Sequence, residues 1–323
     1  MSTKETDSHL FKIDPELSGE RIDKFLSKNL EDVSRSRIQK LITEGKVLVN
    51  GARVSKNHRL VCGQEISIED LSSINTSSNI TAEEIDLKII YEDKSILVIS
   101  KDAGMLTHPA PGNENHTLVN ALMYHCKNLS KLSGEERAGI VHRLDKDTSG
   151  LLITAKDENV HHRLSEMFAE RKVKKTYIAL AEGRFKEDKG EIKLPIGRSR
   201  IDRKKMSVAI DNGREAVTAF EVAEEFRQAT LLNVYPRTGR THQIRVHLNY
   251  IGHPIIADQV YGSRFSAKIA KKIGLERQFL HASKLEFIHP VTEKLMEFED
   301  PIPQDLSESL EKLREGEKMQ TKR

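Results

Sequence analysis

The chain has 323 residues, of which 37% are hydrophobic and 31% are charged, so it has room for about two domains with polar surfaces. No apolar run approaches the roughly 18 residues of a membrane-spanning helix, and the N-terminus lacks the apolar segment of a secretory signal. The net charge of +3 is mildly basic, and two cysteines exclude a disulfide framework. We therefore expect a cytoplasmic protein without a membrane partner.

The first part of the chain is predicted to contain a tail (residues 1–18) and a small module (residues 19–70). Apolar residues at helical spacing predict one helix in "SGERIDKFLSKNL" and a second in "SRSRIQKLITEG", which Gly45 ends. In "KVLVNGARV", Asn50 and Gly51 separate two alternating runs, which is typical of a hairpin with a type I′ turn. A further strand is expected in "QEISIED".

Five basic residues lie on the second predicted helix or shortly after it: Arg35, Arg37, Lys40, Lys46 and Arg53. They form either a solvated face or a surface that binds RNA phosphates near a helix N-terminus. The order helix, helix, hairpin resembles the S4 RNA-binding domain, and this resemblance implies the second alternative.

The remainder is predicted to contain a linker rich in Ser, Thr and Asn (residues 71–84), a larger domain (residues 85–303) and a charged C-terminal tail (residues 304–323) that can extend a helix. The larger domain alternates short strands with few helices, and one of the strands is expected in "THQIRVHLNYIG". Because few strands are joined by helical crossovers, we predict an α+β fold with a mixed, mostly antiparallel sheet flanked by helices.

The segment "GIVHRLDKDTSGLLITAK" (residues 139–156) has two strand-like runs around five ionisable side chains. It is either a charged hairpin loop or a loop that presents one carboxylate for chemistry. A metal site of His142, Asp145 and Asp147 is a further alternative, but the segment has no recognised ligand spacing. No dinucleotide or P-loop fingerprint is present either.

The segment "RTHQIRVHL" alternates polar and apolar residues, so as a strand it would present Gln243, Arg245 and His247 on one face and His242 on the other. The alternative is an edge strand with one solvated face. If Arg245 faces Asp145, its guanidinium favours the ionised carboxylate that a nucleophile needs.

The motif "HRLDKDTSGLL" resembles the signature of the RluA-type pseudouridine synthases. Four further segments resemble family motifs in order: "ILVISKDAGMLTHPAPGN…TLVNAL", "KKTYIALAEG", "TGRTHQIRVHLNYIGHPIIADQVYG" and "LHASKLEFIHP". The resemblance implies that Asp145 is the catalyst and that Tyr177, otherwise an ordinary core tyrosine, and Arg245 lie beside it. It also suggests four substrate-binding residues: His142, Arg143, Arg240 and Gln243.

The resemblance further implies that uridine in RNA is isomerised, a reaction that needs no cofactor. The S4-like module and the details of "HPAPGN" and "TLVNAL" indicate the branch that modifies large-subunit ribosomal RNA. The same chemistry on transfer RNA is one alternative, and a non-catalytic RNA-binding or ribosome-assembly protein is another. A pure binding protein has no need of a carboxylate facing a polyanion, which favours catalysis.

Overall fold

The computed structural model of the chain describes residues 9–30, 33, 35–68, 80–110, 112–134, 137–202 and 205–321. These residues divide into two compact units, which lie within residues 1–82 plus 131–138 and within residues 83–130 plus 139–323. None of the described helices is both long enough and apolar enough to cross a bilayer.

The first unit has two helices and a four-stranded antiparallel sheet, as the helix, helix, hairpin pattern predicted. Its elements are β1 (His9–Lys12), α1 (Ile22–Asn29), α2 (Arg35–Glu44), β2 (Val47–Val49), β3 (Ala52–Arg53) and β4 (Glu65–Ile68). The sheet order is β1-β4-β2-β3. Apolar side chains from both helices and from β2 and β4 are buried together, among them Phe25, Leu41 and Ile66. Their shared core holds this small unit together.

Helix α2 ends at Gly45, as the sequence indicated. Gly45 has a φ of +77°, a left-handed conformation that favours glycine. A Cβ atom at this position would also collide with the guanidinium of Arg53 on the hairpin. The left-handed backbone conformation therefore favours glycine at this position.

The second unit contains a large sheet, a small hairpin and five helices among its described residues. In chain order the elements are β5 (Lys88–Glu92), β6 (Ile96–Lys101), α3 (Leu118–His125), β7 (Ser149–Ala155), α4 (Glu158–Ala169), β8 (Lys174–Glu182), β9 (Lys189–Lys193), β10 (Ile196–Arg198), β11 (Met206–Val208), β12 (Val217–Glu225), β13 (Ala229–Pro236), α5 (Gln243–Tyr250), α6 (Arg264–Ile273), β14 (Leu280–Ile288), β15 (Leu295–Glu299) and α7 (Gln304–Thr321).

The large sheet has the order β5-β6-β7-β14-β8-β13-β12-β9, with β15 paired to β14. Of its described pairs only β7–β14 is parallel, so the predicted mixed, mostly antiparallel sheet is confirmed. Strands β6 and β7 are buried along their whole length. Helix α4 covers β7 with Val160 and Leu164, which contribute to the same apolar core.

The parallel pair aligns Ser149 and Gly150 of β7 with His281 and Ala282 of β14. Gly150 has a φ of +117°, and a Cβ atom there would lie 2.3 Å from the carbonyl oxygen of Ala282. The preceding Ser149 Oγ is 3.0 Å from Nδ1 of the buried His281. The strand that follows the charged loop is therefore anchored in the middle of the sheet.

The prediction of a strand over residues 241–252 is wrong, because Gln243–Tyr250 form helix α5. The polar and apolar residues of its first six positions are all buried, so the helix has no solvated face there. The alternation of polar and apolar residues therefore does not correspond to the two faces of a strand. The polar members are buried because each has a hydrogen-bond partner, as in Arg245 with Asp258.

Two other segments differ in detail from the sequence-based expectation. Residues 139–141 form no strand, and Ile140 makes only an isolated bridge to Thr154. The segment expected as a charged tail contains helix α7, whose Leu306, Leu310 and Leu313 are buried. Their spacing places the three leucines on one helical face, which covers apolar surface of the second unit.

Candidate active site

Asp145 lies in the loop that leads into β7. The N–H of Thr148 donates to the carbonyl of Asp145 at 3.1 Å and closes a turn. The preceding Leu144 is buried, and its carbonyl accepts a hydrogen bond from Thr107 Oγ1 at 2.9 Å. The backbone is thus fixed on both sides of a carboxylate that is 16% exposed.

Lys101, at the end of β6, holds this loop by hydrogen bonds to backbone carbonyl groups. Its side chain is only 1% exposed, and Nζ donates to the carbonyl oxygens of Asp102, Met105 and Lys146 at 2.6, 2.9 and 3.1 Å. Burial lowers the pKa of Lys101 to about 8, although nearby carboxylates, first that of Asp147, act in the opposite direction. Three carbonyl acceptors match the three hydrogens of an ammonium group.

Arg245, on α5, binds two carboxylates at once. Its Nη1 donates to Asp145 Oδ2 at 2.9 Å, as the sequence predicted for this pair. Its Nε and Nη2 donate to Asp258 Oδ2 and Oδ1 at 2.7 and 2.9 Å, which is a bidentate pair. Burial opposes the charge of Arg245, but Asp258 and then Asp145 outweigh it and raise the pKa of Arg245 above its ordinary value. The guanidinium is therefore a fixed cation beside Asp145.

Asp258 had no role in the sequence-based prediction, although it lies in the motif "PIIADQVYG". It follows the buried residues Ile255 and Ile256, and its own side chain is 0% exposed. A carboxylate in a buried apolar segment requires a charged or hydrogen-bonding partner. That requirement was the available signal for a structural ion pair.

His242 also belongs to this site, whereas the predicted strand placed it on the apolar face. It precedes α5 in a left-handed conformation with a φ of 56°, which brings Nε2 to 3.9 Å from Asp145 Oδ1. Its Nδ1 lies 2.8 Å from the hydroxyl of Tyr261. Burial lowers the pKa of His242 against the opposing effect of Asp145, which favours the neutral ring.

Tyr177 is buried on β8, between Ala282 of β14 and Val234 of β13. Burial, followed by the charge of Asp145, raises the pKa of Tyr177 above its ordinary value. The side chain is therefore a neutral phenol near Asp145. It can stack or form a hydrogen bond, but it does not provide a phenolate base at neutral pH.

His142 turns inward from the charged loop. Its Nε2 accepts the N–H of Ile153 at 3.0 Å, and its ring stacks on Phe168 at 4.6 Å between centroids. Burial, and then the charge of Lys175, lowers the pKa of His142 to about 3, which keeps Nε2 available as an acceptor. The structure thus places His142 under the loop as a packing residue.

Arg143 and Arg240 are the two predicted substrate-binding arginines. Arg143 is exposed, and its Nη1 lies 3.3 Å from His108 Nε2. Arg240 donates through Nε to the carbonyl of Glu215 at 2.9 Å. Arg143 precedes Asp145 by two residues in the chain. Arg240 precedes His242 by two residues, so both arginines flank residues of the site.

Gln243 was also predicted to bind substrate, but its side chain is buried and fully engaged. Its Oε1 accepts from Thr238 Oγ1 and from the N–H of Arg240 at 2.7 and 3.0 Å. Its Nε2 donates to the carbonyl of Val217 and to Thr218 Oγ1 at 3.0 and 2.9 Å. Gln243 therefore ties the start of α5 to β12.

The chain is similar to known proteins over most of its length. Residues 95–250 match the model of the RNA pseudouridylate synthase family. An uncharacterized RNA pseudouridine synthase of Bacillus subtilis is 44% identical over 301 residues, which cover 93% of this chain and 96% of that protein. The chain belongs to the RNA pseudouridine synthase family. The ribosomal large subunit pseudouridine synthase D of Vibrio vulnificus is 41% identical over 303 residues, covering 92% of this chain and 91% of that one.

The solved structure of human RNA pseudouridylate synthase domain containing 4 is similar to the synthase with a TM-score of 0.55 and 29% identity. It covers 70% of this chain and 92% of that one. The synthase is an isomerase that acts on RNA, which confirms the predicted enzyme class. Residues 20–66 match the S4 domain, which confirms the predicted character of the first unit.

The predicted RNA-binding residues of the S4 domain are only partly described. The side chains of Arg35, Arg37 and Lys40 lie outside the described part of the structure. Lys46 is half-buried just beyond α2, and Arg53 is exposed on β3. The Arg53 guanidinium packs against Gly45, the residue before Lys46.

One group of described residues brings together three side chains of types that bind metals. Ligand atoms of Glu92, His125 and Cys126 lie within 4.8 Å of one another. His125 Nε2 lies 2.9 Å from Glu92 Oε2, and the Lys156 ammonium pairs with the other oxygen of Glu92. A cation at this position would be repelled by Lys156. These residues lie on other elements than the Asp145 loop.

Proposed function

We propose that the synthase converts specific uridines of large-subunit ribosomal RNA to pseudouridine, with Asp145 as the catalyst. The observation that carries this proposal is the Asp145 carboxylate itself, which Arg245 holds by one oxygen at 2.9 Å at the end of a rigid loop. The ribosomal substrate is supported by the relatives named ribosomal large subunit pseudouridine synthase D. A cytoplasmic location follows from that substrate.

The reaction breaks the N1–C1′ bond of uridine, turns the uracil, joins C5 to C1′ and transfers the C5 hydrogen as a proton to N1, so the atoms balance without another reactant. Arg245 binds Oδ2 of Asp145, which leaves Oδ1 for the substrate. Oδ1 can add to C1′, add to C6 of uracil, or act on the 2′ side through a glycal intermediate. In each route the carboxylate must be held in place, and the hydrogen bond from Arg245 fixes it.

The target base must leave its stack to reach Asp145, at a cost of a few kcal/mol. Tyr177 lies beside Asp145 as a neutral phenol and is suited to stack on the extruded uracil. Arg143 and Arg240 would contact the flanking phosphates. A single-stranded loop is the substrate in which a base is most easily extruded.

The S4 domain would bind the same RNA through Arg35, Arg37, Lys40, Lys46 and Arg53. Linkage of two binding modules raises affinity through effective concentration without new contacts at the active site. We assign residues 19–70 to this domain and residues 85–303 to the catalytic domain, joined by residues 71–84.

The test is pseudouridine mapping on total RNA by carbodiimide modification and primer extension. Cells that lack the synthase are compared with cells given the wild type, Asp145→Asn or, as a matched control from the same loop, Asp147→Asn. We expect specific large-subunit sites to disappear without the protein and to return with the wild type and Asp147→Asn. Asp145→Asn is expected to restore none, since a carboxamide is not a nucleophile and the loss should be at least roughly 10³-fold.

The mapped positions also identify the substrate. Sites confined to transfer RNA would replace the ribosomal proposal with the transfer RNA alternative. If Asp145→Asn restores every site, Asp145 is not the catalyst. If no site depends on the protein, an RNA-binding or assembly role becomes the better account.

A further inference from the structure

His242 is held in an uncommon backbone conformation that aims its ring at Asp145. Its φ of 56° and ψ of 21° lie in the left-handed region, where residues other than glycine are uncommon. Its side chain is 22% exposed, so one edge of the ring remains accessible. Nε2 on that ring is 3.9 Å from Asp145 Oδ1. Uncommon backbone conformations of this kind cluster at functional sites.

The hydrogen bonds around Tyr261 determine which nitrogen of His242 carries the proton. The Tyr261 oxygen accepts the N–H of Met206 at 2.9 Å and lies 2.8 Å from His242 Nδ1. In the part of the chain that the structure describes, the hydroxyl hydrogen of Tyr261 has no other acceptor than Nδ1. Nδ1 therefore accepts, and the proton of the neutral ring lies on Nε2.

The protonated Nε2 is 3.9 Å from Asp145 Oδ1, which is too far for a direct hydrogen bond. An oxygen about 2.8 Å from both atoms would fit between them. That oxygen must accept from Nε2–H and donate to a carboxylate, which a hydroxyl group of the substrate can do. A ribonucleotide carries such a group on C2′, next to the C1′ atom at which the glycosidic bond is broken.

We propose that His242 and Asp145 together bind the 2′-hydroxyl of the target uridine, with His242 Nε2–H donating to its oxygen and the hydroxyl donating to Asp145 Oδ1. This inference rests on the proposed role of Asp145. The contact places C1′ beside the carboxylate and restricts the reaction to a ribonucleotide at the target position. His242 is then a substrate-binding residue, and Tyr261 is a positioning residue that acts through it.

The experiment measures kcat/KM for pseudouridine formation in an RNA stem-loop that contains a mapped target site. The target nucleotide is uridine, 2′-deoxyuridine or 2′-fluoro-uridine, the last of which keeps an RNA-like sugar pucker without a hydroxyl donor. The enzymes are the wild type, His242→Phe, which keeps a ring without N–H, and His242→Gln, which keeps a donor. His116→Phe is the matched control, because His116 is exposed and also left-handed with a φ of 56°.

The wild type and the control are expected to prefer the ribose target by about tenfold or more, the size of one to two hydrogen bonds. His242→Phe should lose activity mainly on the ribose target, so that its preference falls by several-fold. His242→Gln should retain part of the preference. Equal loss on all three substrates in His242→Phe, with the preference intact, would overturn the proposal.

A second measurement does not depend on the stability of the variants. The ¹⁵N shifts of histidine-labelled wild type and Tyr261→Phe report the tautomer of His242. A ring protonated at Nε2 in the wild type supports the proposal, and a ring protonated at Nδ1 contradicts it. Failure of the proposed function is separate: it would appear as an active Asp145→Asn variant, whereas failure here leaves that variant inactive.

Discussion

Two carboxylates share the guanidinium of Arg245, yet their surroundings differ. Asp258 is 0% exposed and accepts four hydrogen bonds, two from Arg245 and two at 2.9 Å from the N–H groups of Val260 and Tyr261. Asp145 is 16% exposed and accepts one hydrogen bond from Arg245. The fully bonded carboxylate fixes the arginine, and the sparsely bonded one remains available for chemistry. One cation therefore serves both the fold and the site.

The largest effect is expected from Asp258→Asn. The substitution leaves the buried guanidinium of Arg245 with one carboxylate instead of two, so we expect a loss of about 3 kcal/mol in the free energy of unfolding, the lower end for a broken buried ion pair. Urea unfolding at pH 7 measures this loss, and the exposed carboxylate of Asp102 provides a control through Asp102→Asn, for which we expect less than about 0.5 kcal/mol.

The difference in the free energy of unfolding between wild type and Asp258→Asn should also depend on pH. Burial alone would raise the pKa of Asp258, but hydrogen bonds from Arg245 and from the backbone lower it below its ordinary value. Its contribution is therefore fully present above the unfolded pKa of about 3.9 and is lost as the pH falls towards the folded value. The difference between wild type and Asp258→Asn should shrink below about pH 4. An unchanged difference at pH 3 would contradict the assignment.

Arg245→Lys separates the two roles of the cation. A single ammonium cannot reproduce the planar fork that serves two carboxylates, and we expect it to remain with the more deeply buried Asp258. Stability should then fall by about 1–3 kcal/mol, and kcat by about a hundredfold, because Asp145 loses its only hydrogen bond from the arginine. Unfolding and single-turnover rates measure the two effects. A lysine variant with normal kcat would show that Asp145 needs no such support.

The sequence allowed for a pairing of Arg245 with Asp145, and the structure contains this pair, but Arg245 lies on a helix and not on the predicted strand. The motif around Asp145 lies next to a strand of mostly apolar residues, so its position at a strand end was predictable. Helix α5 was not, because burial on every side removes the 3.6-residue periodicity by which helices are found.

The partners that complete the site were harder to predict. His242 was assigned to the wrong face, since alternation says nothing about a left-handed residue before a helix. Asp258 and Lys101 each place a charge at the end of a buried apolar segment. Such a charge needs a hydrogen-bonding or charged partner, but the sequence pattern does not identify that partner. Their partners are backbone groups and a distant arginine, which only the tertiary structure brings together.

Lys101 supports the Asp145 loop as Asp258 supports Arg245, and its effect is expected to be the smallest. Its folded pKa of about 8 lies below the ordinary value of about 10.4. Above pH 8 the amine keeps two hydrogens for three carbonyls, so the loop loses one hydrogen bond and kcat should fall several-fold by pH 9. Lys101→Met should be slower at pH 7 and should lack this alkaline decrease.

The sign of the stability change makes this prediction specific. Between about pH 8 and 10.4 the unfolded chain binds more protons at Lys101 than the folded one, so this group raises the free energy of unfolding as the pH rises. Activity and stability should therefore change in opposite directions in the wild type, and neither change should occur in Lys101→Met. If both proteins show the same alkaline loss of activity, the loss comes from another group, and the loop does not depend on the charge of Lys101.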